Sequence, residues 1–142
     1  MRRALALATL LLLATAEGAL GQDLEQVLDR FAAAWHRGDV VTIASLVSRN
    51  GISIDVGDGG QVGPLGVRQA VAVLRKLFDE RETTVVRAGV AQVVGGTPPR
   101  AFGEVVWSAR SRGTTENEKA TIFLALVREK DGWRINQIRL LR

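Results

Sequence analysis

Asp55 is the side chain in this sequence best placed to do chemistry. It ends the alternating segment Ile52–Val56 on the same face as Ser53, just before the turn-forming run Asp58-Gly59-Gly60. Pointing inward among apolar neighbours such as Phe31 and Trp35, its carboxylate would be desolvated and could serve as a general base. Pointing outward it is a solvated aspartate at a turn, and the sequence leaves both orientations open. Trp107 alternates with Gly103, Val105 and Ala109, small neighbours that leave room for the indole to pack or for a ligand beside it. On the opposite face of that strand Glu104, Ser108, Arg110 and Arg112 either supply polar groups to a pocket or form a solvated surface.

Other chemistries are excluded by what is missing. His36 is the only histidine, so neither a histidine metal site nor a histidine-activated serine has a second imidazole to share the work. It falls in the last turn of a helix, where the dipole favours an imidazolium at the surface. With no cysteine there is no disulfide, thiolate nucleophile or thiolate metal site. Asp55-Val56-Gly57-Asp58-Gly59-Gly60 lacks the alternating acids and distal glutamate of a calcium loop. Gly60, Gly63 and Gly66 lack the Lys-Ser/Thr pair of a phosphate loop. The expectation is therefore no metal and no cofactor.

The elements that must position these residues follow from periodicity. Asp23 with Gln26 reads as a capping box opening a helix, in which Leu24, Val27, Leu28, Phe31 and Trp35 share one face. Gly38 ends it, and Asp39 caps a second helix with Val40, Ile43, Leu46 and Val47 on its buried side. After the Asn50-Gly51 turn and the strand Ile52–Val56 comes a third helix, Val67–Arg81, with Ala70, Val71, Leu74, Leu77 and Phe78 facing inward. The period then changes to alternation. Thr83–Val94, Ala101–Arg112, Ala120–Lys130 and Trp133–Leu141 read as four long antiparallel strands, the last two joined by Asp131-Gly132. Ala120–Lys130 is apolar on both faces, with Ile122, Leu124 and Leu126 on one and Phe123, Ala125 and Val127 on the other. Helices cover only one face of such a sheet, so the other calls for a two-fold partner or is shielded by the neighbouring strands.

The N-terminus reads as an export leader over residues 1–21. Arg2 and Arg3 precede the apolar run Ala4–Ala14, and Ala19-Leu20-Gly21 supplies small residues for cleavage. That run is shorter than the roughly 20 residues that span a bilayer, so no membrane insertion is expected after cleavage. Without a cysteine no lipid-anchored cysteine is expected at the cleavage site, and the expected destination is the periplasm or the medium. Residues 22–142 form one domain. Lys and Arg number 19 against 15 Asp and Glu, and the longest basic cluster is Arg110-Ser111-Arg112, so nucleic-acid binding is not expected.

The order of three helices, one interrupting strand or hairpin and a run of long strands resembles the nuclear transport factor 2-like fold. Its markers are Phe31–Asp39, Gly66–Phe78 and Val127–Leu141. The resemblance implies an α+β fold in which a curved antiparallel sheet wraps the three helices into a cone with an internal pocket, here bounded by Phe31, Trp35, Asp55 and Trp107. Arg30–Asp39 resembles the helix-one motif of the ketosteroid isomerase branch. There the position matching Phe31 is a tyrosine that donates to the oxyanion, the base matches Asp55, and a protonated partner acid falls near Leu124 or Ala125. Phenylalanine cannot donate and the chain has no tyrosine, so one of three catalytic roles survives.

The sequence thus leads to an exported, non-catalytic protein, homodimeric through its sheet, that binds a small apolar organic ligand or another protein. The alternative is a cofactor-independent isomerase or lyase using Asp55 as base.

Overall fold

In the computed structural model, residues 2–57, 60 and 62–142 are described, with side chains from residue 19 onward. Three helices, α1 (Arg2–Arg37), α2 (Val40–Ser45) and α3 (Val67–Glu80), lie in the N-terminal half. Six strands follow the chain as β1 (Ile52–Asp55), β2 (Val62–Leu65), β3 (Arg81–Gly95), β4 (Arg100–Ser111), β5 (Glu118–Glu129) and β6 (Gly132–Leu141). They form one open sheet in the order β2-β1-β6-β5-β4-β3. The α+β architecture and the four long C-terminal strands agree with the sequence reading.

The sheet is mixed rather than wholly antiparallel. β1 runs parallel to β6, pairing Ser53 with Gln137, Ile54 with Ile138 and Asp55 with Arg139. The approach is fixed just upstream, where Ile135 donates to the Leu46 carbonyl and Ser48 to the Ile135 carbonyl, each at 2.8 Å. β2, which the glycines and proline of 57–66 concealed, pairs antiparallel with β1. Glycine is required there, because a Cβ on Gly63 would lie 2.8 Å from the Ser53 Cα.

The expected helix start at Asp23 is corrected. α1 continues upstream, since residues 2–22 are rich in alanine and leucine, both strong helix formers. The Asp23 carboxylate caps nothing and instead accepts from Arg128 Nη1 at 3.3 Å. The leader expected over residues 1–21 falls largely outside the residues whose side chains are described, as does most of the Asp58-Gly59-Gly60 turn. Asp39 does cap α2, accepting from Thr42 N at 3.1 Å and Thr42 Oγ1 at 2.6 Å. Gly38 has φ 63°, the left-handed conformation that ends α1. The β5–β6 loop is Lys130-Asp131, one residue earlier than expected, because Glu129 pairs with Gly132.

One face of the sheet carries the core. Ile54, Ile138, Leu124 and Gly103 line up across β1, β6, β5 and β4 on that face. α1 lies so close that a Cβ on Gly103 would meet Leu28 Cδ1 at 2.6 Å. Leu24, Leu28, Phe31 and Trp35 of α1 and Ala70, Leu74 and Leu77 of α3 complete the buried layer.

Candidate functional site

Phe31 and Trp35 are one turn apart on the inward stripe of α1, and Trp107 meets Trp35 from the inner face of β4. The Trp35 ring centroid lies 5.3 Å from Phe31, 4.9 Å from Phe78 and 5.3 Å from Trp107, the last two edge-on. Phe31 and Trp35 are 0 % exposed and Trp107 2 %. Trp107 Nε1 donates to Thr83 Oγ1 at 3.0 Å, whereas Trp35 Nε1 is buried without a hydrogen-bond partner. Three of the four expected pocket residues therefore come together, with the Phe31 and Trp107 rings both packed on Trp35.

Asp55 is elsewhere. Successive side chains of a strand point to opposite faces, and Ile52 and Ile54 are each 1 % exposed on the core side. Ser53 and Asp55 therefore point to the outer face, so grouping Asp55 with Phe31, Trp35 and Trp107 in one site is corrected. Its Oδ1 accepts from Gly57 N at 3.0 Å, and its Oδ2 lies 3.8 Å from Arg139 Nε. At the positions matched to a partner acid, Leu124 is buried on the inner face and Ala125 is half-buried on the outer one.

The outer face has its own arrangement. Asp55, Arg139, Phe123 and Glu104 form one row across β1, β6, β5 and β4, and Ser53, Gln137, Ala125 and Phe102 form the next. Phe102 and Phe123 stack at 6.1 Å with their planes 22° apart. With Val106, Ala125 and Val127 they form a half-buried apolar strip in the middle of the sheet.

Several openings border the core among the described residues. A cleft of about 240 Å³ between the β1–β2 hairpin and α3 is lined by Ile54, Val56, Val62, Val73 and Leu77, with Lys76 and Glu80 also at its wall. Their side chains are 3.9 Å apart. A wider groove of about 440 Å³ presents Arg30, Arg128, Trp133 and Arg134 with Asp23 and Asp131. Arg128 is already engaged, its guanidinium 5.8 Å over the Trp133 ring and paired with Asp23, and Arg134 donates to the Ser45 carbonyl. His36 lines a third opening, beside Arg112, whose Nε and Nη2 donate to the Asp79 and Phe78 carbonyls that end α3. The sequence reading missed the first cleft; the signal was Val73, an apolar residue off the main stripe of α3, facing Val62 from a strand that was not seen.

Among the described residues no group of three His, Cys, Asp or Glu side chains could hold a metal ion, and no helix is long and apolar enough to cross a membrane.

No protein-family profile matches this sequence, and no curated protein matches it. Solved structures do. A ketosteroid isomerase-like protein from Erwinia carotovora atroseptica is 14 % identical, with a TM-score of 0.68 over 84 % of this chain and 93 % of that one. A domain of unknown function with a cystatin-like fold from Nostoc punctiforme is 18 % identical, with a TM-score of 0.66 over 87 % of this chain and 77 % of its own. Rd1NTF2_04 with long sheet is 20 % identical, with a TM-score of 0.60 over 82 % of this chain and 98 % of its own. At these identities the likeness is one of fold.

Proposed function

Because the chain has the nuclear transport factor 2-like fold, which does not select a function by itself, we propose that it is an exported, non-catalytic protein that works by binding. Its first partner is a second copy of itself across the outer face of the sheet. The observation that carries this reading is the apolar strip of Phe102, Val106, Phe123, Ala125 and Val127, which faces away from the helices. Arg139 and Glu104 flank Phe123 on either side. A two-fold axis near Phe123 brings the arginine of one copy toward the glutamate of the other, giving an apolar centre with a charged rim. In sedimentation at high micromolar concentration the wild-type chain runs as a dimer and Phe123→Glu as a folded monomer. A monomeric wild type overturns the reading.

Export rests on the positive start, apolar run and small residues of the leader, and places the protein in the periplasm or medium. The dispersed charge gives no basic face for nucleic acid.

Small-molecule binding is the second reading. With the aromatic rings of the cone packed together, the apolar cleft of Ile54, Val56, Val62, Val73 and Leu77 offers a place for a small apolar ligand. An environment-sensitive apolar dye should bind the wild type and be excluded by Val73→Trp; equal binding by both speaks against this cleft. The isomerase or lyase alternative has less behind it, since Asp55 faces Arg139 on the outer face instead of the aromatic cluster.

A further inference from the structure

We infer that the leader is removed after Ala16, not after Gly21, and that residues 17–21 belong to the working domain. The inference rests on the proposed export, and its test separates the two.

Three triplets at the end of the apolar run present small residues at the spacing a leader peptidase reads: Ala14-Thr15-Ala16, Ala16-Glu17-Gly18 and Ala19-Leu20-Gly21. The first overlaps the end of the apolar run, whereas Glu17 lies within the second and separates the third from the run. Sequence alone admits all three, and the folded domain sets the last apart from the first two.

Trp133 is 2 % exposed, and its Nε1 donates to the Leu20 carbonyl at 3.1 Å. The Leu20 side chain packs against the core and lines a cavity with Val93, Val94 and Gly95 of β3. One residue of α1 thus ties together β6 and β3, which are separated by two strands in the sheet. Cutting after Gly21 removes both contacts and leaves an enclosed indole N–H without its acceptor. Cutting after Ala16 or Gly18 keeps them, and of those two triplets only the one ending at Ala16 carries no charged residue.

The test is the intact mass of the exported protein. The full chain is produced with its own leader in a bacterial host, and the mass of the periplasmic or secreted product is measured for wild type, Ala16→Leu and Gly21→Leu. The expected wild-type product begins at Glu17, Gly21→Leu is processed like wild type, and Ala16→Leu is not cut after residue 16. A mature chain that begins at any residue other than Glu17 overturns the inference while leaving export standing. Full-length protein retained in the cytoplasm overturns export itself and is recognised by its intact leader. In the exported wild-type chain the Trp133 indole hydrogen should exchange slowly by NMR; rapid exchange shows that the Leu20 contact is absent and also overturns the inference.

Discussion

Trp35 and Phe123 are both large aromatic residues near the middle of the molecule, but their surroundings differ in kind. Trp35 is enclosed by Phe31, Phe78 and Trp107 between α1, α3 and β4. Phe123 stacks on Phe102 and is otherwise half-exposed on β5. Rings inside the sheet hold the domain together, and rings outside it are available to hold something else. The helices settle which is which, since they cover a single face of a sheet whose central strand is apolar on both.

The largest test of that division is Trp35→Ala. Emptying the centre of the cluster should cost about 3–5 kcal/mol, a large share of the roughly 5–15 kcal/mol that stabilises a typical domain. Urea unfolding measures it. Trp35→Phe keeps a ring and removes the unpartnered Nε1–H, so it should lose much less. If the alanine variant were as stable as Phe123→Glu, the cluster would not be the structural centre and the contrast between the faces would fail.

A smaller effect is expected at the cluster's edge. Thr83→Val keeps the shape of the side chain but removes the acceptor for Trp107 Nε1. An enclosed indole donor left without a partner costs about 1–3 kcal/mol. The double variant Thr83→Val with Trp107→Phe should recover part of that loss, because no donor is then stranded. Additive losses in a double-mutant cycle would show that the hydrogen bond contributes nothing specific.

Most of this organisation was legible in the sequence where a single period ran long enough. Leu24, Leu28, Phe31 and Trp35 mark the inner stripe of α1, and β3 to β6 were found within two residues at every end. What escaped was short or depended on a distant neighbour. β2 is four residues containing Gly63 and Pro64, so it carries no readable alternation. The orientation of Asp55 could not be read because strand alternation sorts residues into two faces without saying which faces the helices. Ile52 and Ile54 decide it only once α3 is seen against them. Asp23 has the chemistry of a cap, yet nothing upstream stops the helix, and its actual partner, Arg128, lies far along the chain on β5.

The smallest expected effect concerns a contact that sequence and structure agree on. Hydrogen bonds from the Thr42 hydroxyl and backbone N–H hold the Asp39 carboxyl below its ordinary value of 3.8. A carboxyl lowered on folding adds stability that is fully present above its unfolded pKa and is lost as pH falls through the folded one. Asp39→Asn retains an oxygen to accept from Thr42 but cannot ionise. Its melting temperature should lie slightly below that of wild type at neutral pH, and the gap should close as the solution is acidified below the ordinary carboxylate range. Glu82, likewise held below its ordinary value by Arg110, is present in both proteins and cancels in the difference. A gap independent of pH would mean that the cap acts through its geometry alone.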